Sequence, residues 1–292
     1  MDINGYTNVV LMTSLLKNMN DITIVTAFYD IGRETWSSYS RTNEEYFSCF
    51  KLLCQLKNKI IVFTQSKFQK EFEYIISTIK DDLIVFYDDD IIADVNYINK
   101  ISEVQKSSEY LNNILTPNCP EYWNPYYVYV NFLKSKFCLE AIKRVPEIDN
   151  TISWIDFGYV KKQEQIPESK LWNYQFNDKI NFWSIKDIPQ EINLIHTIKT
   201  NTVYIQGCHI VASKDKWYVL NQLMIEQLNY LLTNNLIDDD QTLMLMSYAS
   251  KPEEFKIYNE NINYQDLGWF FIFQYYNDYC DLNYSLHTNG EN

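Results

Sequence analysis

Glycine and histidine are scarce in this chain of 292 residues. It has only 6 glycines, and neither the G-x-G-x-x-G nor the G-x-x-x-x-G-K-[ST] pattern occurs in it. A bound nucleotide must therefore be held without a glycine-rich phosphate loop. Only 3 histidines are present, which counts against enzymes that need several histidine ligands for a metal ion.

Paired cysteines and long apolar runs are also missing. The 6 cysteines form no C-x-x-C pair and show no zinc-site spacing. The first 20 residues lack a basic start followed by an apolar run, so we expect no signal peptide. No apolar stretch reaches the roughly 18 residues of a membrane-spanning helix. These absences predict a reduced, soluble, cytoplasmic protein.

Acidic residues outnumber basic ones, 38 to 25, which gives a formal net charge of -13. A field of this sign disfavours unspecific binding to nucleic acid or anionic membrane, although a local basic pocket can still bind phosphate. Hydrophobic residues make up 46% of the chain, enough for a large core. The 24 tyrosines suit a cleft for sugars, but the nucleotide composition of an AT-rich genome explains them equally well.

The first 90 residues alternate between strand and helix patterns. Residues 22–28, 59–64 and 83–87 are β-rich runs, and residues 67–79 have helical spacing. A capping box of Thr42 and Glu45 starts another helix between the first two strands. The order β-α-β-α-β predicts an α/β fold with a mostly parallel central sheet flanked by helices.

The rest of the chain continues this pattern less regularly. We predict an irregular segment at 91–124, a helix from Pro125 to about Arg144, strands at 152–155, 180–185, 202–205 and 255–258, a continuation of the third of these at 207–212, and helices at 214–234 and from Asp238. No repeat or linker interrupts it, so a single domain over residues 1–292 is the simplest interpretation.

Three acidic clusters lie where ligands bind in such sheets, beyond the carboxyl ends of strands, or at a helix start. Residues 88–90 are three aspartates that could bind a hard cation. They could equally form a solvated turn. Residues 238–240 could provide a catalytic acid, and equally cap a helix. Asp156 ends a short strand two residues before Gly158, and could equally be an ordinary turn residue.

Several basic residues follow or precede strands in the same way. Arg33 follows the first strand and could bind a phosphate, or simply lie on the surface. Lys134 and Lys136 are two positions apart on a predicted helix, so at most one of them faces the site easily. His209 follows Gly207 and could bind a metal ion or a diphosphate, although a lone histidine is more often structural.

Taken together in order, these segments resemble the HtrL/YibB family of bacterial polysaccharide-associated proteins. The resemblance extends over about residues 20 to 260. Its segments are residues 24–33 (IVTAFYDIGR), 45–47 (EYF), 124–126 (NPY), 132–136 (FLKSK), 154–158 (WIDFG) and 239–241 (DDQ).

The resemblance implies a type A glycosyltransferase, which has a Rossmann-like fold, with a nucleotide-binding half at about 20–160 and an acceptor half at about 161–292. Such an enzyme moves a hexosyl group from a nucleoside diphosphate sugar to a growing glycan. The implied donor is a UDP-sugar, with UDP-galactofuranose as one candidate. The acceptor would be a cell-surface glycan such as lipopolysaccharide or capsule, which is compatible with peripheral association with the inner membrane.

The resemblance also implies roles for individual residues, and it favours Asp156 over residues 88–90, because the D-x-D motif of type A enzymes follows a later strand. Asp156 would order the donor sugar or a metal ion, and Asp240 would be the base in an inverting reaction. The implied donor-binding residues are Ala27, Phe28, Tyr29, Arg33, Lys134, Trp154, Gly158 and Gly207. Asp156 and His209 are the candidate ligands for Mn²⁺ or Mg²⁺, although Asp-x-Gly lacks the second carboxylate of D-x-D.

Two other functions remain open from the sequence. The missing second carboxylate is compatible with an inactive protein that binds sugar nucleotides or supports assembly on the same fold. A metal-dependent phosphodiester hydrolase could instead use residues 88–90, but it would need more histidine or aspartate ligands.

Overall fold

In the computed structural model, residues 21–259 and 269–277 are described. The start of the chain, for which no signal peptide is expected, lies outside them. The strands are β1 (Ile22–Phe28), β2 (Ile60–Thr64), β3 (Ile84–Tyr87), β4 (Thr151–Ile155), β5 (Ile180–Ser184), β6 (His209–Ser213) and β7 (Phe255–Asn259). They form one sheet in the order β3-β2-β1-β4-β6-β5-β7.

Strand direction in this sheet is parallel except at one place. β1 pairs in parallel with β2 and β4, β2 with β3, and β5 with β7. Only β6 is antiparallel to its neighbours β4 and β5 among the strands described. The predicted α/β class, with a mostly parallel sheet flanked by helices, is confirmed.

Helices cover both faces of the sheet. They are α1 (Asn43–Leu53), α2 (Gln69–Thr78), α3 (Val95–Lys106), α4 (Ser108–Leu111), α5 (Pro125–Phe132), α6 (Lys134–Arg144), α7 (Leu194–Thr200), α8 (Lys214–Thr233), α9 (Asp240–Ser250) and α10 (Ile272–Tyr275). Side chains alternate along each strand, so Val25 faces the core under α3, α5, α6 and α8, whereas Ile24 faces the core under α1 and α2. The sheet therefore carries an apolar core on each face.

Helix α3 was not predicted from the sequence, and neither were the short helices α4, α7 and α10. Residues 91–124 were expected to be irregular, but α3 lies within them. Asp94 caps its first turn by accepting hydrogen bonds from two backbone N–H groups, and Ile98, Ile101 and Val104 are buried at helical spacing. The polar residues between these three hid the apolar stripe in the sequence.

Two other predicted elements differ in the structure. The helix predicted from Pro125 to about Arg144 is two helices, α5 and α6, because the chain leaves regular helical geometry at Leu133. The strand predicted at 202–205 is reduced to a single bridge between Ile205 and Ser184. Lys134 is thus the first residue of its own helix, and its side chain reaches Asp156 at the end of β4.

None of the helices in the described part of the chain is both long and apolar enough to cross a bilayer.

Candidate functional site

A cavity of about 350 Å³ opens where β1 and β4 end. Every predicted site residue except His209 contributes to its wall: Ala27, Phe28, Tyr29, Arg33, Lys134, Trp154, Asp156, Gly158, Gly207 and Asp240. The wall draws on both predicted halves of the chain, because Gly207 and Asp240 line it together with residues at the ends of β1 and β4. The fold therefore brings the predicted residues together without showing what they bind.

The direction of β6 explains why Gly207 reaches this cavity. Sequence reasoning placed Gly207 and His209 after a strand, but they precede β6 or begin it. Because β6 is antiparallel to β4, its first residue pairs with Ile155, the last residue of β4. The backbone N–H of Asp156 then donates to the carbonyl of Cys208 at 2.9 Å. The start of one strand and the end of the other thus share one edge.

The centre of the cavity is a buried lysine held by two aspartates. Nζ of Lys134 lies 2.8 Å from Oδ2 of Asp240 and 3.1 Å from Oδ1 of Asp156. It also donates to the carbonyl oxygen of Gly207 at 2.8 Å. The Lys134 side chain is 5% exposed, whereas that of Asp156 is 39% exposed. Asp156 therefore faces the cavity, and Lys134 and Asp240 lie beneath it.

Burial and charge act in opposite directions on this group. Burial lowers the pKa of Lys134, but the charges of Asp156 and Asp240 and their hydrogen bonds outweigh it and hold the pKa above its usual value. Burial raises the pKa of Asp240, against the opposing charge of Lys134. Lys134 is thus a permanent buried cation, and Asp240 holds a proton more readily than an exposed aspartate.

Local packing fixes Asp156 in place. Nε1 of Trp154 donates to Oδ1 of Asp156 at 2.8 Å. On the other side, the ring of Phe157 stacks on Phe50 with centroids 4.2 Å apart. A Cβ atom on Gly158 would lie 3.0 Å from the ring of Tyr46, so the backbone here has little room for a side chain. This close packing orders the Trp-Ile-Asp-Phe-Gly segment around its one exposed carboxylate.

Gly207 is required by the position of Asp240. A Cβ atom on residue 207 would lie 2.4 Å from Oδ2 of Asp240, closer than non-bonded atoms approach. Any larger residue would therefore push the carboxylate away from Lys134. The absence of a side chain at Gly207 leaves the room that the Asp240 carboxylate occupies.

The first-strand loop lines the cavity with side chains that are largely held by the protein itself. Phe28 and Tyr29 are each only 5% exposed. The Tyr29 hydroxyl donates to the carbonyl of Asp88 at 2.9 Å. Arg33 donates to the Tyr46 hydroxyl at 2.6 Å and to the carbonyl of Tyr39 at 2.9 Å. The loop is held rigidly, and Arg33 is its half-buried charged group at the cavity.

The acidic cluster at residues 238–240 caps a helix and also contributes to the cavity wall. Oδ1 of Asp239 accepts a hydrogen bond from the backbone N–H of Gln241, so Asp239 caps α9. Helix capping was one of the two interpretations that the sequence left open for residues 238–240. Asp238, Asp239 and Asp240 are all buried, and so is Glu121 nearby. Burial raises the pKa of Asp238 to about 8, and the negative charge of Glu121 adds to that. Asp238 therefore holds its proton in the neutral range, and burial also raises the pKa of Asp239, Asp240 and Glu121.

Replacing Asp238 by Asn should change how stability depends on pH. In the folded protein Asp238 keeps its proton up to about pH 8, whereas in the unfolded chain it loses it near 3.8. The unfolded state thus binds fewer protons between these values, and stability falls as pH rises, by at most about 1.4 kcal/mol per pH unit. Asn cannot ionise, so the free energy of unfolding of Asp238→Asn, relative to wild type, should increase with pH across this window.

Urea unfolding of both proteins at several pH values between about 5 and 8 measures this difference. Groups whose pKa does not depend on Asp238, such as His209, cancel in the comparison, whereas Glu121 interacts with Asp238 and contributes to the difference. A difference that stays constant with pH would show that Asp238 ionises in the fold as it does in the unfolded chain.

The structure does not support His209 as a metal ligand. His209 is fully buried and lies outside the cavity wall, between the rings of Trp183, Tyr159 and Phe271. Burial, followed by the charge of Lys134, lowers its pKa to about 3. It is a neutral core histidine because β6 turns its side chain into the aromatic face of the sheet.

Two of the three aspartates at residues 88–90 are engaged in structural contacts. Asp88 forms an ion pair with Arg144 at 2.6 Å, and Asp89 accepts hydrogen bonds from Ser66. These contacts tie β3 to α6 and to the end of β2. Neither aspartate lines the cavity, so the structure gives no support to a hydrolase centred on them.

Sequence reasoning missed several residues of the cavity wall. Arg41 and Lys161 lie in loops with no strand or helix pattern to mark them. Trp269 and Phe270 come from the segment after residue 268, which packs back against Tyr159 through a hydrogen bond from the Tyr159 hydroxyl to the carbonyl of Trp269. No local signal in the sequence could have placed them here, because only the folded chain brings them to Gly158.

The donor set at the cavity fits a protein-held metal ion poorly. Oδ1 of Asp156 already accepts from Trp154 and Lys134, and Oδ2 of Asp240 accepts from Lys134. A buried ammonium thus lies between the two carboxylates, where it would repel a divalent cation. Over residues 21–259 and 269–277, no three His, Cys, Asp or Glu side chains are grouped so as to hold a metal ion.

The solved structures similar to this chain include two that cover most of its length. One is mouse xyloside xylosyltransferase 1 in its apo form, with a TM-score of 0.41 and 12% identity over 88% of this chain and 93% of that chain. The other is 4-diphosphocytidyl-2C-methyl-D-erythritolsynthase from Anaerococcus prevotii DSM 20548, with a TM-score of 0.39 and 8% identity over 82% and 87%.

Comparison of sequences is more specific. Protein HtrL of Escherichia coli (strain K12) is 33% identical over 267 residues, which cover 86% of this chain and 91% of that protein. Residues 20–277 match the model of a family described as a bacterial protein of unknown function, HtrL_YibB. The chain therefore belongs to the HtrL/YibB family, as its segments from residues 24–33 to 239–241 predicted.

Proposed function

We propose that this protein is a glycosyltransferase that moves a hexosyl group from a UDP-sugar to a cell-surface glycan, with UDP-galactofuranose as one candidate donor. The observation that carries the proposal is the cavity beyond β1 and β4, in which an exposed carboxylate, Asp156, lies above a buried pair of Lys134 and Asp240. Such a combination of a fixed cation with carboxylates of different exposure suits displacement of a charged leaving group.

The proposed reaction is displacement at the anomeric carbon of the donor sugar. The bond from that carbon to the diphosphate breaks, and its electron pair leaves with the diphosphate, whose growing charge the basic wall of the cavity stabilises. The acceptor hydroxyl oxygen forms the new glycosidic bond. Its proton passes to Asp240, whose burial favours the protonated form. Asp156 orders the sugar between these groups.

A second candidate is a protein on the same fold that binds sugar nucleotides without transferring the sugar. The observation in its favour is that Lys134 already engages an oxygen of each of the two carboxylates. In that case Asp240 is a structural partner of Lys134 and never receives a proton from an acceptor. Binding of the donor would then occur without any release of UDP.

A thermal-shift screen with a UDP-release assay tests both candidates. We expect at least one of UDP-glucose, UDP-galactose, UDP-N-acetylglucosamine and UDP-galactofuranose to stabilise the protein, by about 2.7 kcal/mol at a concentration of 100 times Kd. Each would be tested with EDTA and with Mn²⁺. Stabilisation with slow UDP release supports transfer, stabilisation without any release supports the binding protein, and the absence of any stabilisation contradicts both.

A further inference from the structure

Three basic side chains in the cavity wall form no ion pair with an acidic residue. Arg33, Arg41 and Lys161 all line the cavity and are half-buried. None of the ion pairs found in the described residues involves any of the three, whereas Lys67, Lys80, Lys134, Lys143, Arg144 and Lys216 are all paired. Other basic residues of the described chain also form no ion pair, but Arg33, Arg41 and Lys161 differ from them because they line the cavity.

Aromatic rings hold these three groups instead of carboxylates. The guanidinium of Arg41 lies 4.9 Å from the centroid of the Tyr46 ring, and that of Arg33 lies 5.8 Å from the same ring. The ammonium of Lys161 lies 5.4 Å from the centroid of the Phe270 ring. Such contacts fix the positions of the cations without neutralising their charge.

The three groups meet around the backbone of Gly158. A Cβ atom there would lie 3.2 Å from Nη1 of Arg41, and the ammonium of Lys161 donates to the carbonyl oxygen of Gly158. Arg33 is joined to this group through Tyr46, whose hydroxyl accepts its hydrogen bond. Burial, and then repulsion by Arg41, lowers the pKa of Lys161. The like charges of the cluster therefore repel one another, and a bound anion would reduce this repulsion.

We propose that Arg33, Arg41 and Lys161 bind the diphosphate of the donor without a divalent metal ion. Three cations fixed around one cavity match the two to three negative charges of a nucleoside diphosphate, and guanidinium groups bind phosphate oxygens bidentately. The ion pairs of Lys134 leave little room for a metal ion, which agrees with this role. The inference rests on the proposed function only in taking the diphosphate to be that of a sugar donor.

Calorimetric titration in EDTA tests the inference with two probes, UDP and inorganic pyrophosphate. Both should bind the metal-free protein, and added Mg²⁺ or Mn²⁺ should not strengthen UDP binding by more than about twofold. Arg41→Met and Lys161→Met should each weaken both probes about tenfold or more, because each removes a charge-assisted hydrogen bond. Lys162→Met is the matched control, because Lys162 is exposed and does not line the cavity.

The outcomes separate this inference from the proposed function. UDP binding that requires Mg²⁺ or Mn²⁺ overturns the inference and leaves the glycosyltransferase proposal intact. Binding of pyrophosphate but not of UDP or any UDP-sugar supports the anion site and contradicts the proposed function. Unchanged affinity in Arg41→Met and Lys161→Met, with thermal midpoints equal to wild type, overturns the role of the cluster.

Discussion

Replacing Lys134 by Met is expected to destabilise the folded protein by about 3–5 kcal/mol, because it removes the cation of a buried ion pair and leaves its partners uncompensated. Oδ2 of Asp240 lies 2.8 Å from Nζ of Lys134, and the Asp240 side chain is only 4% exposed. Met fills a similar volume, so the loss reflects charge more than packing. Guanidinium chloride unfolding of wild type and variant measures the effect.

Lys136 provides the matched control on the same helix. It is exposed, so Lys136→Met should change the free energy of unfolding by no more than about 0.5 kcal/mol. Adding Asp240→Asn to Lys134→Met removes the stranded carboxylate, and the double variant should be more stable than the sum of the single effects predicts. Equal losses in Lys134→Met and Lys136→Met would contradict the buried ion pair.

Replacing Asp156 by Ala is expected to lower sugar transfer by about 100-fold or more, the scale on which removal of one electrostatic group acts in an active site. The protein should stay folded, with a loss of less than about 1 kcal/mol, because the Asp156 carboxylate is 39% exposed and Lys134 keeps Asp240 and the carbonyl of Gly207. UDP release and transfer to a glycan acceptor, measured beside urea unfolding, separate the two effects.

Asp88→Ala is the appropriate comparison for Asp156→Ala. Asp88 also follows a strand and forms an ion pair, with Arg144, but it lies outside the cavity. It should lower stability modestly and leave the rate of transfer per folded molecule at the wild-type value. Wild-type transfer by Asp156→Ala would exclude Asp156 from the reaction, whereas a loss shared equally by both variants would point to a general effect on folding.

That the residues after β1 and β4 would lie around one cavity was predictable because of the geometry of parallel strands. Asp156 and Arg33 each follow a buried strand, and the carboxyl ends of parallel neighbours meet at one edge. What could not be predicted was the direction of β6. The antiparallel pairing of β6 with β4 depends on long-range contacts, and it decides that Gly207 precedes its strand and that His209 lies in the core.

The basic cluster illustrates a second limit of the sequence. Arg41 and Lys161 are 120 positions apart, in loops whose local sequences predict no regular structure. Only the packing of Tyr46 against Gly158 brings them together. By contrast, α3 was missed although its signal was local, because the polar residues between Ile98 and Val104 concealed the spacing of its apolar side chains.

The distance in sequence between Lys134 and Asp240 has a consequence for synthesis of the chain. They are 106 positions apart, so at about 5–20 residues per second Asp240 leaves the ribosome about 5–20 s after Lys134. Until then Asp240 is missing from the cavity, and Asp156 is the other carboxylate with which Lys134 can pair. A chain that stops before residue 240 therefore lacks the buried carboxylate that balances the charge of Lys134.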